Sequence, residues 1–183
     1  LLGLTAVGAL LGAFVLALLY PTLPSLESLT DYQPKIPLRI LTVEGELLGE
    51  FGEERRAVVN IADVPDVMKK AILAAEDERF YSHGGVDYIS ILRAAVTNVT
   101  SGTQQGAGTI TMQVARNFFL TREKTVTRKL REVLLAWKIE ANLTKDEIFQ
   151  LYLNQIFLGQ RAYGFAAAAQ IYFGKSLKDV SAA

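Results

Sequence analysis

The rhythm of apolar and polar positions divides the chain before any single residue is considered. Residues 1–20, LLGLTAVGALLGAFVLALLY, carry no charged side chain, and only Thr5 and Tyr20 are polar. At about 1.5 Å per residue this run spans roughly 30 Å, the thickness of a bilayer core, and it predicts a transmembrane helix ended by Pro21 and Pro24. Residues 21–37 lose the pattern and add Pro34 and Pro37, which reads as a linker or neck. A folded domain is expected over 38–183. It opens with two short apolar runs on either side of Gly45, a candidate hairpin.

From Pro65 the spacing turns helical almost throughout. PDVMKKAILAAED places proline where a first turn tolerates it, with apolar residues at 67, 68, 72, 73 and 75. VDYISILRAAVTNV predicts a second helix. Glycines 102, 106 and 108 then interrupt the pattern in a small-residue loop that runs into a helix near Ile110. In KTVTRKLREVLLAWKIEANL, Val126, Leu130, Val133, Leu134, Trp137 and Ala141 form a stripe at helical spacing, which predicts the core face. Glu132 then falls on the far side, four residues after Arg128 and beside Leu135 and Ile139. Thr144 with Glu147 three residues on predicts a capping box that opens a further helix. Gly159 to Gly164 make a turn, and FAAAAQIYFG reads as a small-residue helix ending at Gly174. No terminator follows in LKDVSAA, so the domain is expected to be truncated at its C-terminal end.

Charge and composition exclude several classes. The 19 basic and 19 acidic side chains cancel, leaving no overall field for nucleic acid. With no cysteine, disulfides and thiolate catalysis are excluded, and a zinc site is disfavoured because the one histidine would need three carboxylates as companions. The stretch ILAAEDERFYSHGG is the chemical candidate. Glu76 and Asp77 follow an apolar run and precede Phe80 and His83, which fits either the solvated end of a surface helix or an acid held against an apolar wall. Arg128 and Glu132, taken alone, fit an ordinary i,i+4 pair worth a few tenths of a kcal/mol.

Taken together, the motifs resemble the peptidoglycan glycosyltransferase domain of class A penicillin-binding proteins and monofunctional transglycosylases. Glu76, Asp77, Phe80, His83 and Gly85 match the first family motif. The second is similar to Gly106, Ala107, Gly108, Thr109, Ile110, Thr111, Met112, Gln113, Arg116 and Asn117. Arg128, Lys129 and Glu132 match the third. The fourth falls on Lys145, Ile148, Tyr152, Leu153 and Asn154, and the fifth on Arg161, Gly164, Ala168, Tyr172 and Phe173. Three positions depart from the pattern: Gly108 replaces the usual serine, Met112 a glutamine and Gln150 a glutamate.

The resemblance implies a mainly α, lysozyme-like domain with a small membrane-proximal lobe, preceded by the transmembrane helix. It implies a single-pass protein of the inner membrane with its catalytic domain on the extracytoplasmic side. The implied reaction polymerises lipid II into β-1,4-linked glycan strands, with Glu76 as general base, its pKa raised by partial burial, and Glu132 as a second catalytic carboxylate. Thr109, Thr111, Gln113, Arg116 and Asn117, at a helix start whose amides point at anionic oxygens, would hold the pyrophosphate with Arg128, Lys129 and Arg161. Asp77 and His83 are counted with the substrate-binding residues, Asp77 orienting a neighbouring basic group or capping the turn and His83 bonding to backbone where the helix ends. No cofactor is obligatory on this reading, although a divalent cation, Mg or Mn, would fit at the pyrophosphate. The expected partners are lipid II, the growing strand, membrane lipid and other cell-wall synthesis proteins, with no nucleic acid. Two alternatives stay open: a lytic transglycosylase or glycoside hydrolase, and a non-catalytic membrane-anchored module that binds lipid II or the cell wall.

Overall fold

The computed structural model describes residues 10, 14, 17–30, 37–102, 106–121 and 125–180. In chain order its elements are α1 (Glu27–Thr30), β1 (Leu38–Leu41), β2 (Leu47–Phe51), β3 (Arg55–Arg56), α2 (Asp66–Glu76), α3 (Tyr88–Ser101), α4 (Ile110–Phe119), α5 (Val126–Glu140), α6 (Lys145–Gln155), β4 (Ala162–Tyr163) and α7 (Phe165–Phe173). β1 and β2 form the antiparallel hairpin around Gly45, with Leu38 opposite Phe51. β3 pairs in parallel with β4, which ties the start of the domain to its last third.

Side-chain caps set where the longer helices begin. Asp87 accepts the N–H groups of Ile89 and Ser90 at the start of α3, Thr109 that of Met112 in α4, and Thr125 that of Arg128 in α5. The Thr144–Glu147 capping box opens α6 as expected. α4 packs against both α5 and α6. Their shared core contains Phe80, Ile110, Val114, Leu135, Ile139, Ile148, Phe149 and Leu153, all 0% exposed. Each such side chain contributes roughly 1.5–3 kcal/mol by leaving water, so α4 is held firmly on two sides.

The mainly helical expectation holds, but two others need correction. Among the described residues no helix is long and apolar enough to cross a membrane, and most of the stretch 1–20 assigned to a transmembrane helix lies outside the described residues. The single-pass inner-membrane placement rested on that helix and falls with it, as does the membrane-proximal label for the smaller lobe. The second correction concerns α5. Val126, Leu130 and Trp137 of the expected core stripe are 80%, 43% and 40% exposed, whereas Glu132, Leu135, Ala136 and Ile139 are buried. This helix is apolar on more than one side, and packing against α4 and α6 selects the face that carries Glu132.

Candidate active site

Glu76 is the last residue of α2, and the chain leaves the helix at Asp77, whose φ of −161° is extended. The two neighbouring carboxylates have opposite surroundings. Glu76 is exposed, so the expected partial burial of this residue is not found. Its Oε2 accepts a hydrogen bond of 2.9 Å from Nε2 of Gln113 on α4. Asp77 is buried and accepts the N–H of Ile110, the first residue of α4, at 3.0 Å. His83 Nε2 lies 3.0 and 3.1 Å from the two oxygens of the same carboxylate. His83 therefore bonds to a side chain and not to backbone. Its Nδ1 is buried with no partner among the described residues.

The start of α4 is largely taken up inside the domain. Asp77 occupies the Ile110 N–H, and the Thr109 hydroxyl accepts from Met112 at 3.2 Å while donating to the Gly85 carbonyl at 2.5 Å. The buried Thr111 hydroxyl donates to Glu140 at 2.6 Å. Two of the amides expected to face an anion, and both threonine hydroxyls, are thus committed to the fold. Further along the helix Arg116 and Asn117 line an open cavity of ≈ 470 Å³ together with Arg56, Gln155 and Tyr163. Arg56 gave no sequence signal. It is buried, 2.7 Å from both Glu54 and Gln155, and stacks over the Tyr163 ring at 4.4 Å.

Glu76 also lines an apolar cavity of ≈ 450 Å³ together with Ile72, Tyr152, Ile156, Phe157 and Phe165. It shares Ile156 and Phe157 with the Arg116 cavity. Burial pushes the Tyr152 phenol above the ordinary tyrosine range; the Glu76 charge adds to this and Arg116 opposes it. On its other side Glu76 borders a polar cavity of ≈ 190 Å³ formed with Asp87, Arg93 and the 106–109 loop. Asp87 was not anticipated, although an aspartate just before a helical run is a start signal. Burial would raise its pKa, but the Arg79 guanidinium, the Ser90 hydroxyl and the Ser90 N–H outweigh that and hold the carboxyl well below the usual range.

Glu132 is 1% exposed, with Oε1 bound by Arg128 and Oε2 lying 3.1 Å from Lys129 Nζ. Lys129 reaches the 106–109 loop, its Nζ standing 4.0 Å from where a Cβ on Gly108 would sit. Arg161 lies elsewhere. It occupies a tight turn in which Ala162 N–H bonds the Gly159 carbonyl at 2.7 Å, with φ of 46° at Gln160 and 61° at Arg161. Its guanidinium reaches the Gly52 carbonyl at 3.4 Å. The turn returns to Gly164, where a Cβ would meet the Asn154 and Leu153 carbonyls at 2.9 Å, so only glycine fits.

An exposed carboxylate oriented by an amide, lining an apolar cavity that shares residues with an arginine-lined one, suits an enzyme that transfers glycosyl groups and needs a base but no nucleophile of its own. Sequence comparison gives that class a family. Residues 44–183 match the family model described as Transglycosylase, and the chain belongs to this family. The family is one of enzymes, and the chain is a transglycosylase domain. The chain is 57% identical over 182 residues to penicillin-binding protein 1A of Neisseria gonorrhoeae, covering 99% of this chain and 23% of that protein. It is 50% identical over 182 residues to penicillin-binding protein 1A of Pseudomonas aeruginosa, covering 98% of this chain and 22% of that one. The chain thus spans less than a quarter of the length of these relatives. A crystal structure of penicillin-binding protein 1A from Haemophilus influenzae aligns at 30% identity over 81% of this chain and 13% of that one, with a TM-score of 0.30.

Proposed function

We propose that the domain joins lipid II units into β-1,4-linked glycan and releases undecaprenyl pyrophosphate, with Glu76 as the general base. The observation that carries this reading is the exposed Glu76 carboxylate, aimed by Gln113 and lining a cavity that shares residues with the one lined by Arg116. Glu76 removes the proton from the acceptor's 4-hydroxyl as that oxygen bonds to the glycosyl carbon of the lipid-linked donor. The bond from that carbon to the pyrophosphate breaks, and its electron pair leaves on the phosphate oxygen. Arg116 and Asn117 receive the departing charge from one side, and Arg128 and Lys129 add positive charge beside the 106–109 loop. Glu132, with both oxygens engaged, acts by fixing those two cations. Asp77, His83, Thr109 and Thr111 hold the scaffold that aims the base.

No metal is required on this reading. Asp77, His83 and Asp87 bring three ligand atoms within 4.8 Å of one another, but the donor set does not fit a dication. Asp77 is bonded to the Ile110 N–H and His83, and Asp87 is paired with Arg79. The test uses labelled lipid II in detergent. Glu76→Gln should fold normally and make no glycan, while the unaltered protein keeps its rate in excess chelator. Glycan synthesis by Glu76→Gln overturns the base assignment, and loss of activity in chelator overturns the metal-free chemistry. Shortening of purified glycan strands by the unaltered protein would instead identify a lytic enzyme.

A further inference from the structure

Tyr152 sits on α6 and is 2% exposed, deep enough that a phenylalanine would serve for packing. Its ring is stacked on Phe149 at 6.4 Å and tilted against Phe165 at 6.2 Å, so the direction of its hydroxyl is fixed. That hydroxyl makes no hydrogen bond among the described residues, yet it is not sealed in, because Tyr152 lines the same cavity as Glu76. The phenol oxygen is open to the cavity, so its hydrogen-bond partner comes from solvent or from a ligand there. Glu76 cannot be its partner by default, since Gln113 already orients that carboxylate.

We infer that the Tyr152 hydroxyl donates a hydrogen bond to an uncharged oxygen of the donor sugar, holding the glycosyl carbon between Glu76 and Arg116. The inference rests on the proposed role of Glu76. Tyr152 and Glu76 line the same cavity, which sets the phenol in the space next to the proposed base. The phenol's raised pKa keeps it protonated at neutral pH, so toward a substrate oxygen it acts as a donor. A charged phosphate oxygen would be drawn past it to Arg116, whereas a neutral sugar oxygen has no stronger donor in an otherwise apolar lining. A bound sugar oxygen then replaces water on the phenol, and a ligand lacking the matching oxygen leaves the phenol unpaired, which is how a site rejects it.

The test is Tyr152→Phe, which keeps the ring and both aromatic contacts. Its melting temperature should match or exceed that of the unaltered protein. Its kcat on labelled lipid II in detergent should fall at least about tenfold while KM changes by less than about threefold, the pattern of an interaction tightened in the transition state. A kcat equal to that of the unaltered protein overturns the inference. If Tyr152→Phe loses stability, trifluorotyrosine at position 152 decides. A phenol that must stay protonated then brings an alkaline decline in rate into the accessible pH range, and an unchanged pH profile overturns the inference. Glu76→Gln is assayed alongside. If it remains active, the base reading fails and takes this inference with it; if it is inactive while Tyr152→Phe is normal, only the tyrosine assignment fails.

Discussion

Replacing Glu132 with leucine should destabilise the domain by about 3–5 kcal/mol, and replacing Arg128 with methionine in the same chain should recover most of the loss. Glu132 is 1% exposed, and the Arg128 side chain that meets it is 16% exposed. Lys129, the other partner, has a side chain 51% exposed and stays hydrated when the acid is removed. The penalty therefore falls on Arg128, whose Nε already lacks a partner among the described residues and whose guanidinium would be left buried without its counter-charge. At about 2–4 °C per kcal/mol for a chain of this size, the single variant should melt roughly 10 °C lower. The double variant, with two apolar side chains of similar volume in place of the ion pair, should lie within about 1–2 kcal/mol of the parent. Thermal unfolding followed by circular dichroism measures both. Because Arg128 is assigned to the leaving group, the double variant should be folded and still slow on lipid II. A single variant that melts within about 2 °C of the parent, less than the shift expected from 1 kcal/mol, refutes the reasoning. So does a double variant no more stable than the single one.

Asp87→Asn should cost about 2 kcal/mol at neutral pH by weakening the charge-assisted bonds to Arg79 and Ser90. The folded carboxyl has a depressed pKa, so its contribution is complete above the unfolded value of about 3.9 and is lost as pH falls through the folded one. Urea unfolding should show a gap between parent and variant that is constant from neutral pH to about 5 and closes below about 4; a gap that widens in acid would contradict this. Gly108→Ser, which restores the residue usual in the family, should change stability by less than about 0.5 kcal/mol, because the new Cβ meets only Lys129 Nζ at 4.0 Å. A drop in melting temperature of several degrees would mean that the loop needs glycine's backbone freedom.

Short-range signals carried most of the fold. Proline at 65, Thr144 with Glu147, and Gly174 after an apolar run each mark a helix end through bonds made within one turn, so α2, α6 and α7 were legible. The face of α5 was not. Leucine, valine or tryptophan stands on several sides of this helix, periodicity cannot choose among them, and the choice belongs to α4 and α6, which lie elsewhere in the chain. The same limit applied at the site. Glu76 and Gln113 could be named from motifs, but the bond between them joins residues 37 positions apart. The expectation that Glu76 would be buried followed from the apolar residues preceding it, and it is the neighbouring Asp77 that turns inward. Tyr152 entered only as a position of the fourth motif, because nothing in the sequence distinguishes a phenol that packs from one whose hydroxyl faces a cavity.

The bond from Ile110 N–H to Asp77 closes a loop of chain across 33 positions. Glu76 stands immediately before one end of that closure and Gln113 less than one turn beyond the other, so the base and the amide that aims it are mounted on the same fastening. α3 lies between the two ends along the chain. α3 presents Ile89, Leu92, Val96 and Val99 outward, 55–87% exposed. One buried carboxylate is thus the joint that keeps the end of α2 and the start of α4 in register.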